Sequence, residues 1–452
     1  VFPCGSEVGL ELHRSLTNLK EVELYGGSSV TDHGGYVYSR YLERMPPVTS
    51  PDFVDGINAA IHRHGIDYVF PAHDSVVLAL ATAQDSGRLA CPALTSSADT
   101  CGISRSKKAT MDTFRTLVRT PALYESVEAI TRWPVFLKPD VGQGSKGTGT
   151  AKTSEACHLL RERDPSLLIM EYLPGPEFTI DCFTNRHGAL VFAQPRSRMR
   201  IMNGISVRTA PVERADLVAM AKQINQRLTF RGVWFFQVKE TSEGYPALME
   251  IAPRVAGAMG LCRGAGVNLP LMSLYNAEGY DVHAAPNTCV REMDRALYNR
   301  FSVDYAYNHV YVDLDDCLVR EGEINTELVS FLYQCVNRSG ALHLLTRHAR
   351  DPQTTLTQHR LGGLFDEIIH LKDGQKKSSA IAHRPAVFID DSYAERSEVS
   401  LTLGIPAFGP ESVEALITCQ RKSHFHIGHA AAPTHINAAI PHENLAYLRP
   451  SL

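Results

Sequence analysis

The chain has no excess of either charge: 45 Lys and Arg against 49 Asp and Glu over 452 residues leave a formal net charge of −4. That balance gives no electrostatic footprint for nucleic acid or an anionic membrane surface, so neither is an expected partner. No apolar run approaches the roughly 20 residues needed to span a bilayer. The opening residues carry no signal-peptide pattern, and a cytoplasmic location is the expectation. Cysteine is present at ten positions, without a C-x-x-C pair or regular spacing. This argues against a disulfide framework or a zinc site and reads as reduced thiols. Low-complexity segments are also missing, and the composition is that of a globular protein. The length exceeds one core, so two or three domains are expected. The start, Val1-Phe2-Pro3-Cys4-Gly5-Ser6, reads as a first strand entered part-way.

Residues 1 to about 95 alternate short apolar runs with helical patterns, as βαβ units do. Gly5-Ser6-Glu7-Val8-Gly9 leads into Leu10, Leu12 and Leu16 as a strand–turn–helix would. A dinucleotide fingerprint would need a third glycine and a later acidic residue, so NAD is a weak expectation. Tyr68-Val69-Phe70-Pro71 ends a buried strand, with His73, Asp74 and Ser75 at its carboxyl end; His33 joins them at the expected mouth of this lobe. Ser104 to Leu117 reads as one helix. Phe178–Phe183 and Ala189–Phe192 read as a hairpin turning at Asn185-Arg186-His187-Gly188. Asp216–Leu228 reads as a helix, Val233–Val238 and Ala247–Ile251 as strands, and Asp281–Asp304 as linker.

The densest signal is Phe136-Leu137-Lys138-Pro139-Asp140-Val141-Gly142-Gln143-Gly144-Ser145-Lys146-Gly147. An apolar strand ends in Lys-Pro and opens into a loop of three glycines, a serine and a second lysine. Backbone N–H groups of such a loop can close on phosphates. Downstream, Gln237 and Glu250 lie on successive strands where period-2 alternation aims both side chains to one face. Oxygen ligands of that kind suit Mg²⁺. Arg196, Arg198, Arg200 and Arg254 offer planar forks for oxyanions, although Arg198 and Arg200 could equally face solvent on an edge strand.

In these motifs and in their order, residues 1 to about 285 resemble the ATP-grasp superfamily, particularly the carbamoyl-phosphate-synthase-like carboxylate–amine ligases. The resemblance implies a Rossmann-like lobe over residues 1–98 and ATP-grasp lobes over 99–285. By the same resemblance Lys107 and Lys138 are the ATP lysines, and Gly142, Gly144, Ser145 and Gly147 belong to the phosphate loop. Glu171, Tyr172 and Leu173 form the adenine hinge, Glu177 lies near the ribose, and Arg196 and Arg254 serve the transferred phosphate and the carboxylate. Gln237 and Glu250 are the implied ligands of Mg²⁺ or Mn²⁺. Met249-Glu250-Ile251-Ala252-Pro253-Arg254 departs from the family's Glu-Ile-Asn-Pro-Arg run by placing Ala252 where asparagine is usual.

Beyond a linker at 286–304, Val310-Tyr311-Val312-Asp313-Leu314-Asp315-Asp316-Cys317 delivers aspartates to the end of an apolar strand. Thr346, then Lys376 or Lys377 (Lys372 a poorer third), then Asp390 and Asp391 follow in order. Carboxylates two apart can serve one phosphate when Mg²⁺ offsets their repulsion. Residues 305–420 thereby resemble the haloacid-dehalogenase-like (HAD) phosphatases. The resemblance implies a three-layer α/β domain without a cap, Asp313 as nucleophile, Asp315 as acid/base, Thr346 and Lys376 on the phosphate, and Asp313, Asp315 and Asp390 around the metal. Cys317 replaces the usual threonine. The tail, 421–452, carries His424, His426 and His429, a weak metal pattern, and no assigned structure.

The expectation is therefore an α/β and α+β multidomain enzyme: an ATP- and Mg²⁺-dependent ligase joining a small carboxylate to an amine, fused to a phosphomonoester phosphatase. An ATP-grasp kinase and a nucleotide-binding regulatory protein are the alternatives. Oligomeric state is not legible.

Overall fold

A computed structural model describes residues 1–417 apart from 143, 145, 203, 302 and 373. Ser145 and the histidine-bearing tail therefore lie outside the described residues. Among those described, no helix is long and apolar enough to cross a membrane, and the nine cysteines are free thiols.

The first lobe is a parallel sheet of very short strands. Tyr25–Gly27 pairs in parallel with Arg40–Leu42. Gly27 N donates to Val1 O and Cys4 N to Gly27 O, both 2.9 Å. Phe2 N bonds Phe70 O at 3.0 Å, and Val69 N bonds Pro92 O. The helix Glu7–Leu16 begins where Ser6 Oγ accepts Gly9 N, which satisfies one of the helix's unpaired first-turn donors. Its apolar side, Val8, Leu12 and Leu16, does not close a core inside residues 1–98. It packs with Phe70 and Ala72 against Phe183, Val233, Phe235 and Ala252 of a later sheet. The expected boundary at 98 is therefore crossed by a shared core.

Two antiparallel four-stranded sheets follow. In the first, Leu123–Tyr124, Leu167–Glu171, Val135–Pro139 and Gly149–Ala151 lie in that spatial order. Their inner face, Val135, Leu137, Ala151, Leu167 and Ile169, packs on Cys157 of the helix Ser154–Arg163. In the second, the order is Pro246–Ala252, Gly232–Glu240, Glu177–Thr184, Leu190–Ser197. Period-2 alternation divides this sheet cleanly. One face carries Phe178, Ile180, Cys182, Trp234, Phe236 and Val238 against Leu217, Met220, Ala221 and Ile224 of the helix Ala215–Arg227. Burying the three larger helix side chains contributes roughly 6 kcal/mol before entropy costs. The opposite face carries Asp181, Arg196, Arg198, Gln237 and Glu250.

Two expectations change here. The helix over 104–117 is two helices, Ala98–Arg105 and Lys107–Phe114. The break is at Ser106, whose extended backbone and Oγ cap the second helix through Ala109 N at 3.0 Å. Nor is 286–304 wholly a linker. Met293–Asp294 pairs with Ile205–Thr209 as an edge strand, and Arg295 reaches Glu7 at 2.5 Å. A polar segment joins a sheet because charge pairing replaces apolar patterning at that edge.

Residues 305–417 build a five-stranded parallel sheet in the order Glu367–His370, Ala341–Thr346, His309–Val312, Ala386–Ile389, Ala407–Phe408. Strands buried on both faces read as continuous apolar runs, and Val310, Val312, Leu342, Leu344, Val387 and Ile389 are all 1% exposed or less. The stretch between Val319 and Leu342 holds a small hairpin, Val319–Arg320 with Glu323–Ile324, as well as the expected helix, Thr326–Val336. No cap domain is inserted there.

Candidate functional site

In open α/β sheets ligands sit at the carboxyl ends of strands, and Ala72, His73 and Asp74 leave the first lobe at such an end. They meet the polar face of the second antiparallel sheet across a cavity of about 250 Å³. Lys107, Gly142, Gly144, Arg196, Arg198, Gln237, Glu250 and Arg254 line it. Residues spread over 180 positions of sequence are thus brought to one wall.

The lysine and the glycine loop are tied together. Lys107 Nζ donates to Gly142 O at 2.8 Å, and Arg105 Nη1 to the same carbonyl at 3.3 Å. Ser106 Oγ lies 2.9 Å from both Asp140 carboxylate oxygens, and Asp140 also accepts Lys108 N. Gly144 and Gly147 hold φ of 63° and 69°, a left-handed region that other residues enter at a cost. Burial lowers the pKa of Lys107, with Glu250 pulling the other way. Lys138 is 6% exposed. Its ammonium lies 3.5 Å from Met249 O, and burial, partly offset by Glu250, brings its pKa down to about 8.

Gln237 and Glu250 are direct cross-strand partners in the antiparallel register, next to a bulge at Gln237/Val238. Both line the cavity, and among the described residues no side chain bonds either one. Two facing, unengaged oxygen donors beside lysines fit a hard divalent cation carrying phosphate oxygens. Ala252 adds no ligand: it is 6% exposed and packs with Val8, Phe235 and Met259.

The arginines are less free than the sequence suggests. Arg254 forms a fork on Asp74, at 2.6 and 2.9 Å, and gives Nη1 to Val255 O. Despite burial, Asp74 holds the pKa of the Arg254 guanidinium above its usual value. Arg198 is held by Glu177 at 3.2 Å and by Gly204 O. Arg200 faces outward on Asp294. Arg196 forks onto Asp181 at 2.7 and 3.2 Å.

The adenine end is not assembled around this cavity. Glu171, Tyr172, Leu173 and Glu177 are not among the described residues lining it. The Glu171 amide and carboxylate are both spent on Ala122, at 2.8 and 3.1 Å, and Glu177 pairs with Lys239 and Arg198. Local hydrogen bonding has claimed the Glu171 and Glu177 groups.

The mixed α/β architecture, with two antiparallel sheets and a lysine- and glutamate-lined cavity, has known counterparts. Residues 163–296 match a family described as "ATP-grasp in the biosynthetic pathway with Ter operon". A biotin carboxylase–β-γ-ATP complex from Campylobacter jejuni superposes at TM-score 0.52, with 12% identity, over 64% of this chain and 71% of that one. The fold is ATP-grasp-like. An L-amino acid ligase from Bacillus licheniformis superposes at 0.50, with 13% identity, over 63% and 76% of the two chains. The biotin carboxylase domain of Hydrogenobacter thermophilus 2-oxoglutarate carboxylase, in a complex with MgADP and bicarbonate, does so at 0.51, with 12% identity, over 63% and 70%. No curated protein matches by sequence.

The family match ends at 296, and the carboxyl-terminal sheet carries a second cluster. Asp313 and Asp390 follow adjacent parallel strands, and Lys377 Nζ lies between them at 2.9 and 2.5 Å. Lys376, one of the two lysines left open from sequence, is exposed. Lys377 instead opens the short helical turn Lys377–Ala380, in which it and Ser378 are buried. Oxygens of Asp313, Asp390 and Asp391 lie within 4.8 Å of one another, a set able to hold a cation. Asp315 is outside that set: its carboxylate bonds His348 Nδ1 at 2.8 Å, and His348 Nε2 meets Thr355 Oγ1. Thr346 is fully buried, with Oγ1 accepting His348 N at 3.1 Å. Burial raises Asp313 to about 6, against the pull of Lys377. Asp181 and His348 escaped the sequence reading, and Asp74 was placed at the lobe's mouth without its arginine, because nothing local marks a residue as the partner of a distant arginine or aspartate.

Proposed function

We propose that residues 1–296 form an ATP-dependent ligase that phosphorylates a small carboxylate and passes the resulting acyl phosphate to an amine, releasing ADP and phosphate. The observation that carries this reading is the facing Gln237–Glu250 pair, unengaged in a cavity shared with Lys107, the glycine loop and three anchored arginines. A divalent cation bound there would neutralise charge on the transferred phosphate. The chain's own residues do the rest. Lys107 from the start of its helix and Lys138 from the first antiparallel sheet hold the phosphates, with Gly142, Gly144 and Gly147 beside them. Carboxylate-anchored arginines receive the acid with little reorganisation. The likeness to an L-amino acid ligase agrees with a carbon–nitrogen bond-forming outcome. Screening carboxylate–amine pairs for ADP release tests it. Equal release with and without amine would exclude the ligase and favour a kinase.

For residues 305–417 we propose metal-dependent hydrolysis of a phosphomonoester, with Asp313 as nucleophile, Lys377 and Thr346 on the phosphate, and Asp390 and Asp391 completing the cation's donors. The support is the Asp313–Lys377–Asp390 cluster at the strand ends. Hydrolysis of p-nitrophenyl phosphate that survives Asp313→Asn would refute it.

A further inference from the structure

We propose that Arg196 is the seat of the acid substrate's carboxylate and that this substrate is a compact aliphatic monoacid; the inference rests on the ligase reading above. Four arginines line the cavity, and three have nitrogens committed within the protein. Arg105 gives Nη1 to Gly142 O and Nη2 to Ser75 Oγ. Arg254 is committed to Asp74 and Val255 O. Arg198 is committed to Glu177, Thr179 Oγ1 and Gly204 O. Arg196 differs. It is 1% exposed, its Nε and Nη2 are fixed on Asp181, and its Nη1 is buried without a partner. A buried guanidinium N–H without an acceptor is costly, and an oxyanion arriving from the cavity removes that cost.

Two features select a carboxylate over a phosphate. Asp181, fully buried and also accepting Cys262 Sγ at 3.4 Å, already neutralises Arg196. In a low-dielectric wall, the added charge of a monoanion is tolerated far better beside Asp181 than that of a multiply charged phosphate. The cavity wall also carries Phe235, Ala252, Ala256 and Ala258, an apolar surface suited to a short carbon skeleton. The phosphate donors, Lys107 and the glycine loop, come from other elements. Asp181 is therefore a positioning residue that aims Nη1.

The test titrates acetate, propionate and inorganic phosphate calorimetrically into the full chain with MgADP present. The expected result is measurable binding of the monocarboxylates, with Kd raised about tenfold to a hundredfold in Arg196→Lys, as for loss of a charge-assisted hydrogen bond. Phosphate and ADP affinities stay within threefold, which also controls for folding. In Asp181→Asn, phosphate gains on acetate because the opposing charge is gone. That variant carries the test if Arg196→Lys does not fold. Equal weakening of both anions, weakening of phosphate alone, or no carboxylate binding to the wild type overturns the proposal. Failure of the ligase reading is separate. It appears as no carboxylate-dependent ADP release from the wild type, whereas release with an unchanged KM for the acid in Arg196→Lys refutes this proposal alone.

Discussion

Replacing Lys138 by methionine should stabilise the protein while weakening its hold on ATP. The Lys138 ammonium is buried beside Met249 O, with its pKa brought from 10.5 to about 8. The displacement corresponds to roughly 3 kcal/mol of folding free energy, at 1.36 kcal/mol per pKa unit. The cost is fully present below pH 8, where the lysine is protonated both folded and unfolded. Between pH 8 and 10.5 the folded chain binds fewer protons than the unfolded one, so stability rises with pH over that window. Methionine keeps the stem packing without the charge. The two tryptophans of the chain, Trp133 and Trp234, both lie in the ATP-grasp-like part, so urea unfolding followed by their fluorescence reports on it. At pH 7 the Lys138→Met variant should be more stable by about 2–3 kcal/mol, and the gap should shrink to about 1 kcal/mol or less by pH 10. ATP affinity should fall at least about tenfold, as for loss of a charge-assisted contact. A variant less stable than wild type at pH 7, or a gap constant from pH 7 to 10, would refute the reasoning.

Glu250→Gln removes the carboxylate facing Gln237. ADP release in the coupled assay should fall by about 10²–10³, or roughly 3–4 kcal/mol of transition-state stabilisation, with the unfolding midpoint unchanged. Asp74→Asn leaves Arg254 without its carboxylate, and since these side chains are 18% and 14% exposed the loss should be about 2–3 kcal/mol, below the fully buried range. The urea midpoint reads it. In the carboxyl-terminal part, Lys377→Met should cut p-nitrophenyl phosphate hydrolysis by about a hundredfold. Lys376→Met should stay within twofold of wild type, since Lys376 is exposed; equal losses in the two would show that the burial of Lys377 is irrelevant to turnover.

The elements of the two antiparallel sheets were legible because their signals are local. Apolar alternation marks Glu177–Thr184 and Gly232–Glu240 as half-buried strands, and Pro and Gly mark their ends. The break at Ser106 was missed because a serine inside an apolar-periodic stretch is ambiguous until Asp140 holds its hydroxyl. Met293–Asp294 was read as linker because an edge strand of two residues has no period to detect. The lysine pair 376–377 could not be separated from sequence, since only the turn of Lys377–Ala380 decides which ammonium points to Asp313 and Asp390.

Sequence alone determined the order of the chemistry: strand, glycine loop, a glutamine and a glutamate on adjacent strands, then a second set of strand-end aspartates. Spacing and alternation are properties of neighbours along the chain, and they survive without knowledge of the fold. Tertiary structure decided which charges are free. Arg254 is committed to Asp74, Arg198 to Glu177 and Asp315 to His348, whereas Arg196 keeps one N–H unpaired. Those pairings join residues from 21 to 180 positions apart. Only packing brings such partners together, and only burial makes leaving one of them unpaired costly.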